Sequence, residues 1–395
     1  MKKANNNKKN ISSNDINNFL ENLDTIENQY NKTNKSKYPV NLSATTSSKL
    51  GHNTPLHYAA HYATSAKEVK TVLKKGYNIN SVDDNLYTPL MIAAKYNKHI
   101  GVVKTLLKAG ATLNSLDKYK KDALRLALEE NSSDKVVMEL LQNRKIQKNK
   151  LKQTPLMIAA MSNPSSSVIE ALIKNGEDVN AKDINGFTPL MYASACNTHP
   201  SIIKTLIKNG ADINATALQG LTALHIASGA SWIMYKLDCL NKENEYFASN
   251  PNAVKTLLEY KANINNKDEN NNTPLLHAII HQAWIKRNFA KNSSVPLSKS
   301  KTTIKQLLNH NADVNLTDKD GMSPLMHYVY SKPEADIVKL LLNAGADVNL
   351  KTPSGKTAMS FTREIHTAFH WDLPKEKWGW KQYDTAAKLM EKYIK

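Results

Sequence analysis

Three pairs of histidines stand four residues apart: His57/His61, His277/His281 and His366/His370. On a helix this spacing puts both imidazoles on one face, where they could hold zinc. A hydrolytic zinc site of this kind needs glutamate beside the first histidine. Tyr58, Ala278 and Thr367 stand there instead, and no third ligand is evident. Gly355-Lys356-Thr357 has the ending of a phosphate-binding loop, but the position of its opening glycine is Leu350. The two cysteines, Cys196 and Cys239, are too few for a disulfide framework or a thiolate-rich zinc site. Neither they nor the scattered serines sit in a nucleophile elbow or a triad context. The expectation is a protein without catalytic residues, cofactor or bound metal.

The elements around these residues repeat. A seven-residue string recurs from Thr54 (TPLHYAA), Thr88, Asp122, Thr154, Thr188, Thr222, Thr273, Ser323 and Thr357. The spacings are 34, 34, 32, 34, 34, 51, 50 and 34 residues. A second string, such as VVKTLLKAG or IIKTLIKNG, follows most copies, and a third, such as GADIN, closes them. A hydroxyl followed by proline predicts a capped helix start. Apolar residues at i, i+3 and i+4, as in Val69, Val72 and Leu73, predict a second helix. Gly76, Gly110, Gly176, Gly210 and Gly345 fall where a left-handed residue ends that helix. Lys261 and Asn311 take the same place, the lysine at a conformational cost. No single unit can bury its own core, so stability must come from stacking.

This pattern resembles the ankyrin repeat, from about residue 50 to the end. The resemblance implies an all-α ankyrin-repeat solenoid: stacked helix-turn-helix units with projecting β-turn or hairpin tips. Nine repeats start near 51, 84, 118, 150, 184, 218, 269, 319 and 353. His57 and His225 stand where the family consensus has histidine, which favours a structural reading of both. The copy at Asp122 lacks the Thr-Pro start and the closing string and is two residues short, so a weaker joint or bend is expected there.

Three repeats carry insertions between inner and outer helices, at about 229–250, 281–301 and 364–384. All five tryptophans fall in them: Trp232, Trp284, Trp371, Trp378 and Trp380. Spacings such as Ile233, Leu237, Leu240 and Ile280, Trp284 predict extended helices there. The insertions leave at one point of the repeat and so project from one edge, which they either simply thicken or where they form a side lobe with a pocket. Residues 1–50 read as an Asn/Lys-rich start, disordered in 1–13, plus an amphipathic helix over 15–30 that caps the first repeat.

The formal net charge is +18, yet only four of the 53 basic residues are Arg. Proteins that read nucleic acid favour Arg for its planar fork. With about 45 Asn, the excess Lys reads as compositional drift. The informative charge is local. Lys118, Lys120 and Lys121 flank Tyr119 at one tip, and Lys150 and Lys152 mark the next.

In the ankyrin pattern partners dock on the concave face, formed by the turn tips and by inner-helix residues just after the alanine pair. The resemblance therefore implies a non-catalytic protein–protein interaction scaffold. The candidate partner-binding residues are Tyr87, Tyr96, Lys118, Tyr119, Lys120, Lys121, Lys152 and Phe187. The expected partner is a protein with an acidic surface, bound by a monomer, with no small-molecule substrate evident. Binding of nucleic acid or anionic membrane is the alternative. With no apolar run near membrane-spanning length and no secretory signal, the expected location is cytoplasmic. Ankyrin proteins of AT-rich intracellular bacteria share this composition and some enter host cells, which gives a bacterial effector in a host cytosol as the alternative.

Overall fold

The computed structural model describes residues 54–131, 133–143, 151–230, 249–289, 297–331, 333–368 and 380–394. For 284–289, 297, 364–368 and 380–381 only the backbone is described. The N-terminal helix expected over 15–30 lies outside these residues, as do Trp232, Trp371 and Trp378. Trp284 and Trp380 are described in backbone alone, so the side lobe is outside the described residues too.

All repeats but the third begin with a hydroxyl residue at the start of a short inner helix. The Thr88 hydroxyl accepts from the Met91 N–H at 3.3 Å, and Thr188 and Ser323 cap in the same way. Proline follows as the first helical residue, where its missing N–H costs nothing. Asp122 replaces the threonine of the third repeat and caps with its carboxylate, accepting from Arg125 N–H at 2.8 Å. Inner helices are α1 (Pro55–Tyr62), α3 (Pro89–Tyr96), α5 (Ala123–Glu130), α7 (Pro155–Ser162) and α9 (Pro189–Cys196). Outer helices are α2 (Ala66–Leu73), α4 (Ile100–Lys108), α6 (Asp134–Gln142), α8 (Ser166–Lys174) and α10 (Pro200–Lys208).

The sixth repeat departs from this plan. Its inner helix α11 (Ala223–His225) runs into a π turn, Ile226–Ala230, in which Gly229 takes φ +145°. There follow α12 (Pro251–Glu259), α13 (Pro274–Phe289), α14 (Leu297–Asn309), α15 (Pro324–Val329), α16 (Ala335–Asn343), α17 (Ala358–Ala368) and α18 (Trp380–Glu391). Among the described residues this makes nine helix pairs and no strand. The seventh repeat's insertion lengthens both of its helices: α13 has 16 residues and α14 has 13, against eight and nine in the second repeat. The helical spacing of Ile280 and Trp284 reflects this.

The chain divides into two compact units, Met1–Gln147 with Asn163–Asn175, and Lys148–Ser162 with Gly176–Lys395. In the first, inner helices α1, α3 and α5 pack side by side, and α2, α4, α6 and α8 form the second layer. In the second, the inner row is α7, α9, α11, α13, α15 and α17, backed by α10, α12, α14, α16 and α18. Each row buries the same repeat position. Leu56, Leu90, Leu156, Leu190, Leu224, Leu275 and Leu325 are all at most 1% exposed, each worth about 2 kcal/mol of transfer free energy. Alanines such as Ala59, Ala93, Ala127 and Ala159 allow the close helix approach.

Candidate functional site

The tips are built around aspartates. Asp83 Oδ1 accepts from the N–H groups of Asn85 and Tyr87, both at 2.8 Å. Asp117, Asp183, Asp268 and Asp318 repeat this, each accepting from the residues two and four further on. Successive tips then bond through their backbones, as Lys118 N–H to Asn85 O in the first unit and Leu218 N–H to Asn185 O in the second. A side chain at a tip is therefore held on a rigid frame.

In the first unit this frame assembles tyrosines and lysines. Tyr87, Lys118, Tyr119, Lys120 and Lys121 stand on tips; Lys95 and Tyr96 stand at the end of α3. The Lys95 ammonium lies 5.4 Å from the Tyr87 ring centre and 5.1 Å from that of Tyr96. Its charge is matched by Glu130 at 2.9 Å. Burial alone would lower the Lys95 pKa, but the hydrogen bond and charge of Glu130 outweigh it and hold the group above the ordinary lysine range. Lys118 lies 4.9 Å from the Tyr119 ring centre while donating to Asn85 Oδ1 at 2.7 Å. The rings of Tyr62, His61 and Tyr96 are parallel, His61 being 4.1 Å from Tyr62 and 4.6 Å from Tyr96.

The structure thus brings Tyr87, Tyr96, Lys118, Tyr119, Lys120 and Lys121 into one unit. Tyr96 and Tyr119 are 44% and 45% exposed. Lys120 is exposed and makes no ion pair among the described residues. Lys121 corrects the reading of a free basic tip. It pairs with buried Glu129 at 3.0 Å, and Arg125 shares that carboxylate at 2.6 Å.

Phe187 is a second correction. It is 0% exposed and packs edge-on against Tyr192 at 6.4 Å, so it belongs to the core and offers no surface to a partner. Gln153 and Leu221, at the same repeat position, are buried as well, and Gln153 donates to the Tyr192 hydroxyl at 2.7 Å. Lys152 is exposed, but it stands in the second unit. Lys95, Glu129, Glu130 and Tyr62 were missed by sequence reasoning, and His61 was singled out only as a candidate metal ligand. They lie on inner helices, and only the helix spacing from α1 to α5 could have pointed to them.

The groups that resembled chemistry have structural duties. His57 Nδ1 accepts from Thr54 N–H, and its Nε2–H donates to Tyr87 O at 2.9 Å. His277 Nε2 lies 2.9 Å from Asp268 Oδ2. The described residues contain no group of three or more His, Cys, Asp or Glu side chains placed to share a metal ion. The side chains of His366 and His370, and all of Cys239, lie outside the described residues. Burial pushes the Cys196 thiol up to about 12. Thr357 caps α17, accepting from Ser360 N–H at 3.3 Å, so Gly355-Lys356-Thr357 is a turn and a cap.

Sequence profiles of ankyrin repeats match residues 18–117, 97–183, 124–217 and 162–238 (three-copy profile) and 307–361 (many-copy profile). The chain belongs to the ankyrin repeat family. Among solved structures, the human ASB11 ankyrin repeat domain is 22% identical, covers 65% of this chain and 98% of its own, and has a TM-score of 0.44. The ankyrin repeat domain of Bcl-3, described as a unique member of the IkappaB protein family, is 27% identical over 57% of this chain and 93% of its own, with a TM-score of 0.39. Comparison with curated proteins gave no match. Ankyrin repeats generally mediate protein–protein interaction and are typically non-enzymatic scaffolds. No helix among the described residues is long and apolar enough to cross a membrane.

One ankyrin feature went unread in the sequence. In the second to fifth repeats, buried asparagines nine residues after the capping position bond to the repeat before. Asn97 Nδ2 donates to Ala60 O and Ala63 O at 3.0 and 2.9 Å, and Asn131 Nδ2 to Ala94 O and Asn97 O at 2.7 and 2.9 Å. Asn163 and Asn197 continue the ladder within their own units. The fixed position was visible in the repeats, but the abundance of Asn throughout the chain hid it.

Proposed function

We propose that the chain is a non-catalytic scaffold, acting as a monomer, that binds another protein through Tyr87, Tyr96, Lys118, Tyr119 and Lys120 of its first unit. The observation that carries this is the pair of half-exposed tyrosines, Tyr96 with one lysine ammonium and Tyr119 with two within 6 Å of the ring centre, on rigid repeats. Tyrosines of this kind supply large contact area at low entropic cost. Lys118 and Lys120 favour an acidic partner surface and would speed its encounter. Lys95 and Lys121, already matched by Glu130 and Glu129, position the rings and the tip.

The same ion pairs weaken the case for nucleic acid or anionic membrane, since they remove Lys95, Lys121 and Arg125 from any continuous basic stripe. The resemblance to ankyrin proteins of AT-rich intracellular bacteria favours a bacterial effector acting on host proteins as the setting, and Lys152, exposed on the second unit, is a separate candidate contact. The test is affinity capture on the full chain alongside Lys118→Glu/Lys120→Glu and Tyr96→Ala/Tyr119→Ala, with thermal midpoints recorded. Loss of the same partner from both variants at unchanged midpoints supports the site, and an identical set of captured proteins overturns it. Partner-free retardation of DNA or RNA at physiological salt would favour the alternative.

A further inference from the structure

The second unit hides an unusual polar junction where the π turn Ile226–Ala230, α13 and α14 meet. The turn is pressed against α13. A Cβ at Gly229 would stand 2.7 Å from His281 Cβ and 3.0 Å from the His277 carbonyl oxygen. On the other side Ser300 Oγ of α14 lies 3.4 Å from His281 Nδ1. Asn250 N–H donates to Ala227 O at 2.8 Å, which returns the chain, with Ser249 next to Asn250, to the π turn that carries Ser228. Thr303 follows Ser300 by one helical turn, Gln306 follows Thr303 by another, and Gln282 is next to His281.

Five of these side chains carry a buried polar atom that meets no partner. The hydroxyls of Ser228, Ser249 and Thr303 and the Oε1 atoms of Gln282 and Gln306 are shielded from solvent and meet no hydrogen-bond partner. Elsewhere among the described residues only Asp117 and Ser162 carry such an atom. Ser228 and Thr303 are 0% exposed and Gln282 is 1% exposed. A buried polar atom without a partner costs more than an ordinary hydrogen bond contributes, so a concentration of them calls for a physical cause. The repeat frame does not require the Thr303 hydroxyl. The position of Thr303 is Val102, Val136, Val168, Ile202, Ala253 and Ile337 in six other repeats. Single π turns inside helices also recur at functional sites.

We propose that this junction is a binding site for a small uncharged molecule that both donates and accepts hydrogen bonds, either an organic solute or internal water. The amide oxygens of Gln282 and Gln306 accept from the guest, and the three hydroxyls do either. Water needs two to four such partners to be held in a protein interior, and the junction offers them.

The test uses the full chain and Thr303→Val, which keeps the side-chain shape and removes the hydroxyl. If a guest is bound, Thr303→Val loses its bonds and lowers Tm. If Thr303 faces nothing, removing a buried unpaired hydroxyl raises Tm or leaves it unchanged. Native mass spectrometry of the wild-type chain separates the two guests. An added mass, shed on gentle activation and missing from Thr303→Val, identifies a solute. A bare mass together with slowly exchanging water giving Overhauser contacts to the Thr303 methyl identifies water. Ser228→Ala, which trims the opposite wall, repeats the comparison should Thr303→Val fail to fold. Neither a bound mass nor water contacts in the wild-type chain, or a raised Tm in the variants, overturns the proposal.

Discussion

The Lys95 ammonium is held 2.9 Å from Glu130 Oε1, and that pairing fixes it between the Tyr87 and Tyr96 rings. Glu130 is 42% exposed, so solvent screening limits what the pair adds to stability. Its expected value lies in placing the aromatic rings. Glu130→Gln should lower Tm little and weaken partner binding by about 1 kcal/mol, roughly fivefold. Isothermal titration with the captured partner measures it; unchanged affinity would mean that the pair does not organise the site.

Phe187 and Tyr96 make a contrasting pair. Phe187→Ala empties a fully buried site and should cost about 3–4 kcal/mol of stability. Tyr96→Ala trims a half-exposed ring and should cost about 1 kcal/mol or less while reducing partner binding about tenfold or more. Urea denaturation beside a binding assay tells them apart. Equal binding loss at matched folded fraction would restore Phe187 to the surface reading.

Several tips carry the wrong residue for their backbone. Leu86 takes φ +62° and Lys120 φ +60°, where Gly186, Gly321 and Gly355 stand at the same point of other tips. A side chain there crowds the following carbonyl, while glycine costs more entropy on folding. The first effect is the larger, so Leu86→Gly should raise stability by about 0.5–1 kcal/mol, read as a higher urea midpoint. A lowered midpoint would show that the exposed Leu86 side chain contributes more than its backbone strain costs.

Acid should loosen the sixth repeat first. His225 Nδ1 accepts from Thr222 N–H, and its Nε2–H donates to the carbonyls of Asn266 and Asn272 at 3.0 and 3.1 Å, so the ring is held neutral. Burial foremost, then the nearby His277, pushes its pKa down to about 4. The unfolded chain protonates near 6.5 and so binds the extra proton between those values. Stability present above pH 6.5 is therefore lost as pH falls toward 4, about 2 kcal/mol by pH 5. Burial lowers His57 as well, with the same sign. Urea midpoints at pH 7 and pH 5 should separate clearly in the wild type and less in His225→Gln. Parallel shifts in both would place the acid sensitivity elsewhere.

The helix pairs were legible because a capping hydroxyl, a proline and a terminal glycine recur at fixed distances, and those signals are local. Even the cost of Lys261 in the left-handed region could be foreseen, and the residue does adopt φ +63°. The facing of side chains was less legible. Phe187 and Tyr87 hold one repeat position, yet Phe187 is buried while Tyr87 is only partly so, because Phe187 meets Tyr192 where Tyr87 meets Lys95. The neutralisation of Lys121 was hidden for a similar reason. Glu129 lies eight residues further along, on a helix whose turn toward the tip is set by packing.

The sixth repeat closes its own insertion. The backbone of Asn250 bonds to Ala227 O, and its side chain donates to Ser194 O and Asn197 O at 3.3 and 3.0 Å, taking up the asparagine ladder. The chain thus departs near Gly229 and returns at Asn250 to almost the same place, with both ends fastened to the scaffold. In engineering terms this is a socket. A foreign peptide or a small domain with neighbouring termini could replace residues 231–248 without shifting the register of any repeat, and evolution has had the same freedom to exchange what is carried there.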